Sequence, residues 1–205
     1  MPEMPDQPGI REGILNGLYR YKTSEKKGAK LRAQLLGSGT IMFEVLKAQA
    51  ILEKDYGVAV DVWSVTSYKA LYREANDCVR WNMLHPTQKP KVPYVTQTLK
   101  GASGPGPFIA ASDYMKVLPE SLAQWVPGKL VSLGTDGFGR SENRASLRDF
   151  FEVDAKHIVL ATLHALAGEK PGDKKDGGEG VSAKLLEKAI RDLGIDPEKR
   201  NPAIS

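Results

Sequence analysis

Four groups of residues in this chain have types and spacings that chemistry can use. Cys78 and His85 sit in Asn76-Asp77-Cys78-Val79-Arg80-Trp81-Asn82-Met83-Leu84-His85-Pro86, a thiol and a base of the kind that makes an activated sulfur nucleophile. No oxyanion donor or orienting third group is legible beside them, so a packed cysteine and a loop histidine is the simpler reading. Gly37-Ser38-Gly39 falls between an apolar run and a helical pattern, where backbone N–H groups can cradle a phosphate. The third glycine of a dinucleotide fingerprint would fall at Met42, and the acidic Asp61 lies inside the next strand pattern. The same glycines describe a tight strand–helix turn, and no Walker A lysine follows.

A second glycine loop runs Gly134-Thr135-Asp136-Gly137-Phe138-Gly139-Arg140-Ser141-Glu142. It follows a strand, where open α/β sheets place ligands; the plainer reading is an Asp-Gly turn whose arginine pairs with a carboxylate. His157 and His164 share one helix face, but metal ligation favours i,i+4 spacing with a carboxylate, so a structural or surface role is expected. Chemistry alone yields no complete catalytic constellation. It leaves Arg80, Trp81, His85, Asp136, Phe138 and Arg140 as interface or ligand-loop candidates.

The elements that would position these groups are organised around residues 33–65. Ala33 to Leu36 reads as a strand ending at Gly37. Ile41, Val45, Leu46, Ala48, Ile51 and Leu52 then recur at helical spacing, with Thr40 as expected N-cap and Gly57 as the left-handed residue after the helix. Val58, Val60, Val62 and Val65 form a β-branched run, the mark of a buried strand. Two strands joined by such a helix imply a parallel pair with a right-handed crossover.

Elsewhere, residues 1–13 are too rich in proline and glycine to nucleate a helix and read as an extended connector. Residues 10–18 suggest a short amphipathic turn, and Tyr19–Lys22 an edge strand. A short helix is expected over Tyr68–Ala75, capped by Thr66 or Ser67, with Leu71 and Tyr72 inward; the stretch after it, 76–86, follows neither period and reads as a loop. Pro93–Thr98, Phe108–Ala111 and Leu130–Leu133 read as strands. A helix from Ser112 or Asp113 through Trp125 carries Pro119, expected at a first turn or a break. Helices follow at about 142–150 and 154–167. Residues 168–180 read as a polar linker and Ser182–Leu193 as a last helix.

Composition narrows the class. The 205 residues are 41% hydrophobic and 26% charged, which suits one α/β domain with tails. No run approaches the ~20 apolar residues of a membrane span, and no signal-peptide h-region is visible. One cysteine excludes a disulfide framework, which favours a reducing, cytoplasmic setting. The net charge of +4 arises partly from Lys22, Lys26, Lys27, Lys30 and Arg32. Without interleaved aromatics, and broken by Glu25, that cluster reads as a solvated loop rather than a nucleic-acid arm.

Longer motifs then speak together. Asp61-Val62-Trp63-Ser64-Val65-Thr66-Ser67, Asp77-Cys78-Val79-Arg80-Trp81-Asn82-Met83-Leu84-His85-Pro86 and Ala111-Ser112-Asp113-Tyr114-Met115-Lys116 resemble the last domain of the homodimeric bacterial pyruvate dehydrogenase family. So do Leu133–Arg144 and Phe151-Glu152-Val153-Asp154-Ala155, and the likeness runs from about residue 9 to Asn201-Pro202. The resemblance implies a transketolase-like C-terminal domain, three-layer α/β/α, with a mixed, mostly parallel sheet of about five strands. That agrees with the strand order read from the residues. It implies residues 1–20 as a linker or extension and 21–205 as the domain, including the 168–180 polar loop and the 181–194 helix.

Enzymes of this family use thiamin diphosphate with Mg²⁺ to decarboxylate pyruvate, the cofactor supplying the electron sink. The two-carbon unit passes to a lipoyl group on an acyltransferase partner. The family's Gly-Asp-Gly motif with a later Asn is missing here, Gly172-Asp173 continuing into Lys174. The resemblance therefore assigns no catalytic, cofactor or metal residue to this chain, and implies that the cofactor is not bound by this chain alone. The expected partners are the preceding thiamin-binding domains, a second subunit and the lipoyl acyltransferase; neither nucleic acid nor membrane is expected. The alternative is an independent module binding an anionic or nucleotide-like ligand through the Gly37/Gly39 turn and the Gly134–Arg140 loop.

Overall fold

A computed structural model describes residues 2–26, 28–102, 104, 106–168 and 180–205. The first element, α1 (Ile10–Asn16), starts inside the stretch expected to stay extended. Its support is tertiary: Thr66 Oγ1 donates to the Ile14 carbonyl at 2.9 Å, and the Gly17 carbonyl accepts from the Thr66 and Ser67 N–H groups. Packing thus stabilises a helix too short to persist by propensity. Strand β1 (Leu18–Lys22) follows, so Leu18–Arg20 already belong to the sheet, upstream of residue 21.

Strand β2 (Arg32–Gly37), helix α2 (Met42–Asp55) and strand β3 (Ala59–Val65) form the expected parallel unit. Gly57 has φ +69°, the left-handed residue after the helix. Thr40 is not the N-cap, because a 3₁₀ turn over Gly39–Ile41 precedes α2 and the Thr40 hydroxyl bonds elsewhere.

Three expectations fail next. Helix α3 runs Tyr68–Leu84, so most of the expected loop is helical. Ser67 caps it by accepting from the Ala70 N–H, and Tyr68, Leu71, Ala75 and Cys78 supply the buried stripe. Tyr72, expected inward, is 43% exposed and meets Trp125 edge-on. Pro93–Thr98 is no strand: α4 (Tyr94–Lys100) buries Val95 and Leu99 at i,i+4, with Glu74 accepting from the Tyr94 N–H at 2.9 Å. Three β-branched residues suggested the strand, and tertiary burial overrode them.

Strand β4 (Phe108–Ala111) is followed by a broken segment rather than one helix: α5 (Val117–Glu120), containing Pro119, and a 3₁₀ turn at Ala123–Trp125. Strand β5 (Leu130–Leu133), α6 (Arg144–Phe150), α7 (Ala155–Ala167) and α8 (Ala183–Asp192) fall where the sequence places them. The bulk of the 168–180 linker lies outside the described residues.

The sheet order is β1-β3-β2-β4-β5, with β1 antiparallel and the rest parallel. Alternation along the strands divides the interior in two. Ala33, Leu35, Val60, Val62, Ile109 and Ala111 face the layer of α2, α7 and α8. Leu36, Trp63, Val65, Phe108 and Ala110 face α3, α4 and the 3₁₀ turn at Trp125. On that second face Trp63 Nε1 donates to Gln34 Oε1 at 2.7 Å, pairing two buried polar groups. The result is a three-layer α/β/α domain.

Candidate functional site

The parallel strands β2, β4 and β5 end side by side, and the loops leaving them meet. Gly37 ends β2 where α2 passes close: a Cβ would lie 2.6 Å from Met42 Sδ. Gly39 takes φ +55°, which glycine adopts without strain. Both glycines are therefore accounted for by a tight strand–helix turn. Gly134 performs a similar task after β5, where a Cβ would come within 2.4 Å of the Tyr114 carbonyl oxygen. Thr135 Oγ1 donates to the Asp113 carbonyl at 2.8 Å, and the Lys116 N–H donates to Asp136 Oδ1 at 2.9 Å. The loops after β4 and β5 are thus locked together.

Beneath them runs a buried polar chain. Arg148 of α6, 9% exposed, donates from Nη1 to Glu44 Oε1 at 3.1 Å and from Nη2 to Thr40 Oγ1 at 2.9 Å. Glu44 Oε2 accepts from the Ala155 N–H, and Thr40 donates to Asp113 Oδ2. A buried charge pair needs such additional hydrogen bonds to offset its desolvation. Above this chain lies a cavity of about 410 Å³, with Thr40, Asp113, Thr135, Arg140, Arg144 and Arg148 in its walls. A larger one, about 690 Å³, opens at the other end of the parallel strands beside Lys30, Arg32, Lys100 and Lys129. That is the end away from which open α/β sheets hold their ligands.

The six candidate residues fall into two separated groups. Asp136, Phe138 and Arg140 share the β5–α6 loop; Asp136 is used by Lys116, Phe138 is 81% exposed, and the Arg140 guanidinium lies 5.1 Å from the Phe150 ring centre. Arg80, Trp81 and His85 lie at the end of α3, in the other helical layer. There the Trp81 and His85 rings stack at 4.4 Å, with Lys91 Nζ over the Trp81 ring. No hydrogen bond, ion pair or ring contact joins the groups among the described residues.

The thiol–base pair does not assemble. Cys78 Sγ is 3.2 Å from Glu74 Oε1, whereas His85 Nδ1 is 2.8 Å from the Trp81 carbonyl oxygen. Burial first, then the hydrogen bond to Glu74, pushes the thiol up to about 11, the opposite of an activated thiolate. Asp61 is buried in β3 and accepts from the Ser24 N–H, so it does not stand at an open strand end.

His157 sits 2.6 Å from Asp154 Oδ1, the carboxylate that caps α7. Asp149 comes within ligand distance of both, but it pairs with Lys156 at 2.5 Å. The Lys156 hydrogen bond, foremost, holds the Asp149 carboxyl below its ordinary value. This is the one such acid–histidine cluster among the described residues; Asp149 Oδ1 is engaged by Lys156 and Asp154 Oδ1 by the helix cap. A diphosphate with Mg²⁺ requires several oxygen ligands converging on the metal; the cavity at the sheet's C-terminal end has the Asp113 carboxylate among three arginines.

Sequence reasoning missed Glu44, Thr40, Asp113, Arg144 and Arg148. The four-residue spacing of Arg144 and Arg148 on a helix was a usable signal. Contacts of Arg148 with residues over a hundred positions away were not.

A five-stranded mixed sheet between helical layers is also the fold of transketolase domains. A split-gene transketolase, described as an inactive β4 tetramer, superposes with a TM-score of 0.51 at 17% identity, over 81% of this chain and 46% of that one. Transketolase from Leishmania mexicana gives the same score and identity over 79% of this chain and 20% of its own. The model of the transketolase-like TK C-terminal domain matches residues 17–154, and the chain belongs to that family. It is 50% identical to the pyruvate dehydrogenase E1 component of Pseudomonas aeruginosa over 202 residues, 98% of this chain and 21% of that protein. The Escherichia coli K12 component is 46% identical over 206 residues, again 21% of its length. This chain thus spans about a fifth of these relatives.

Proposed function

We propose that this chain is the C-terminal domain of a pyruvate dehydrogenase E1 component. The whole enzyme would use thiamin diphosphate and Mg²⁺ to decarboxylate pyruvate and pass the two-carbon unit to a lipoyl group of its acyltransferase partner. The observation that carries this reading is the 50% identity over 98% of the chain. The catalytic groups are assigned to the other domains, because this chain spans about a fifth of the relatives' length. This domain's part is to fold stably and present surface to them and to a second subunit in a cytoplasmic homodimer. The expectation of an independent ligand-binding module is not favoured, because the relatives carry this sequence within a much longer enzyme.

Two surfaces suit that part. Along α3, Tyr72, Val79 and Met83 are exposed and lie on one helical face, close to Arg80, Trp81 and His85. At the sheet's C-terminal end, Tyr114, Met115, Val117 and Phe138 are exposed beside the cavity. Exposed large apolar groups of this number mark contact surfaces.

Calorimetric titration of the chain with thiamin diphosphate, with and without Mg²⁺, tests the reading. No Mg²⁺-dependent binding is expected. A one-to-one isotherm that requires Mg²⁺ would place a cofactor site in this chain and overturn it.

A further inference from the structure

We propose that the cavity at the C-terminal end of the sheet binds a small organic phosphate monoester. The inference rests on the cavity's own groups and stands whether or not the enzyme assignment does. Of the three arginines in its walls, Arg148 is offset by Glu44 at 3.1 Å. Arg140 and Arg144 have no carboxylate partner among the described residues. The Arg140 guanidinium packs over the Phe150 ring, and nearby Glu142 turns back to the Asn143 N–H. Two guanidinium groups without an ion-pair partner offer more donors than a monocarboxylate can accept, and the three acceptor oxygens of a phosphate monoester, about −1.5 to −2 near neutral pH, use them more fully. Asp113 is the opposing carboxylate, and its Oδ2 is engaged by the Thr40 hydroxyl.

The floor is preorganised. Thr40, Glu44 and Arg148 are fixed by mutual hydrogen bonds, and the loops carrying Asp113 and Thr135 are tied at 2.8 Å. Arg148 is more than nine-tenths buried, and its Nε–H has no acceptor. That atom is sealed beneath the cavity wall, so the ligand's contacts fall to the exposed Arg140 and Arg144. Leu147, Phe151 and Val153 supply an apolar wall, so the ligand carries a compact apolar body as well as its phosphate. About 410 Å³ is within the range of small-molecule sites.

Phenyl phosphate is the probe, titrated calorimetrically into the full 205-residue chain in 150 mM NaCl without Mg²⁺. Inorganic phosphate, benzoate and phenol form the comparison arms. Saturable one-to-one binding of phenyl phosphate is expected, with benzoate weaker, phenol silent and inorganic phosphate weaker for want of the apolar body. Arg140→Gln with Arg144→Gln, both exposed, should weaken phenyl phosphate by about tenfold or more. Gly139→Phe, which fills the cavity without altering charge, should weaken it too; a Cβ at Gly139 meets nothing within 4 Å. Thermal melts confirm that each variant folds. Absence of saturable binding, equal binding of benzoate or phenol, or undiminished binding by the folded variants would overturn the proposal.

Discussion

Arg148 and Cys78 illustrate how little residue type alone settles. Both are visible in the sequence, yet their roles come from distant neighbours. Replacing Arg148 with Met leaves Glu44 buried with only the exposed Lys47 as a cation. An orphaned buried charge costs about 3–5 kcal/mol, so Arg148→Met should lower unfolding free energy by about 3 kcal/mol in urea titration. Glu44→Gln added to it should recover part of the loss.

Cys78 should behave as an inert thiol. With its titration pushed up to about 11, native alkylation at pH 7.5 should run about a hundredfold slower than for a peptide cysteine of pKa about 8.5. Its rate should climb with pH through 9.5 without a plateau. Asp149 offers a smaller effect. Its folded value is depressed by Lys156, so its contribution is present above the unfolded value near 4 and disappears as pH falls through the folded one. The side chain is 49% exposed, and Asp149→Asn should cost less than about 1 kcal/mol at pH 7. That difference should vanish once acid has protonated the folded carboxyl.

Helices and strands were legible where their periodicity was strong. The 33–65 unit, β4, β5, α7 and α8 all carry unambiguous apolar patterns, and they are found as expected. Failures cluster where tertiary contact decides. Helix α3 hides its stripe among polar residues because one face only is buried, and α4 is built from β-branched residues recruited by Glu74. Helix α1 survives between glycines because the β3–α3 junction holds it. Ser67→Ala should remove the α3 cap and cost about 1 kcal/mol. Gly37→Ala should cost about 1–3 kcal/mol, since the added methyl meets Met42 Sδ at 2.6 Å and Val45 Cγ2 at 3.0 Å. Denaturant unfolding of the two variants checks both values. A neutral Gly37→Ala would mean the turn is looser than its packing implies.

At the scale of the molecule, the crossover within 33–65 was legible because a parallel β–α–β unit admits few topologies; the order β1-β3-β2-β4-β5 emerges only in the structure. The candidate site was legible only in part. The β5–α6 loop was singled out through Asp136, Phe138 and Arg140, but the buried network under it joins Thr40 and Glu44, Asp113, and Arg148 from three separate segments, which spacing cannot reveal. No helix among the described residues is long and apolar enough to cross a membrane. The exposed apolar groups on α3 and around Phe138 are the surfaces the proposed assembly would use. Sedimentation of the chain alone should therefore show concentration-dependent association, weakened by Met83→Ser and Phe138→Ser together.

The central claim is that this domain serves an E1 enzyme by fitting against its other domains. The measurement that tests it most directly is pyruvate decarboxylation by a chimera in which this chain replaces the matching 21% of the Escherichia coli K12 component, to which it is 46% identical. Activity within about tenfold of the parent, a loss of interface energy below about 1.4 kcal/mol, is the predicted result, with no activity when the segment is deleted. A chimera that folds and dimerises yet fails to decarboxylate pyruvate would contradict the account.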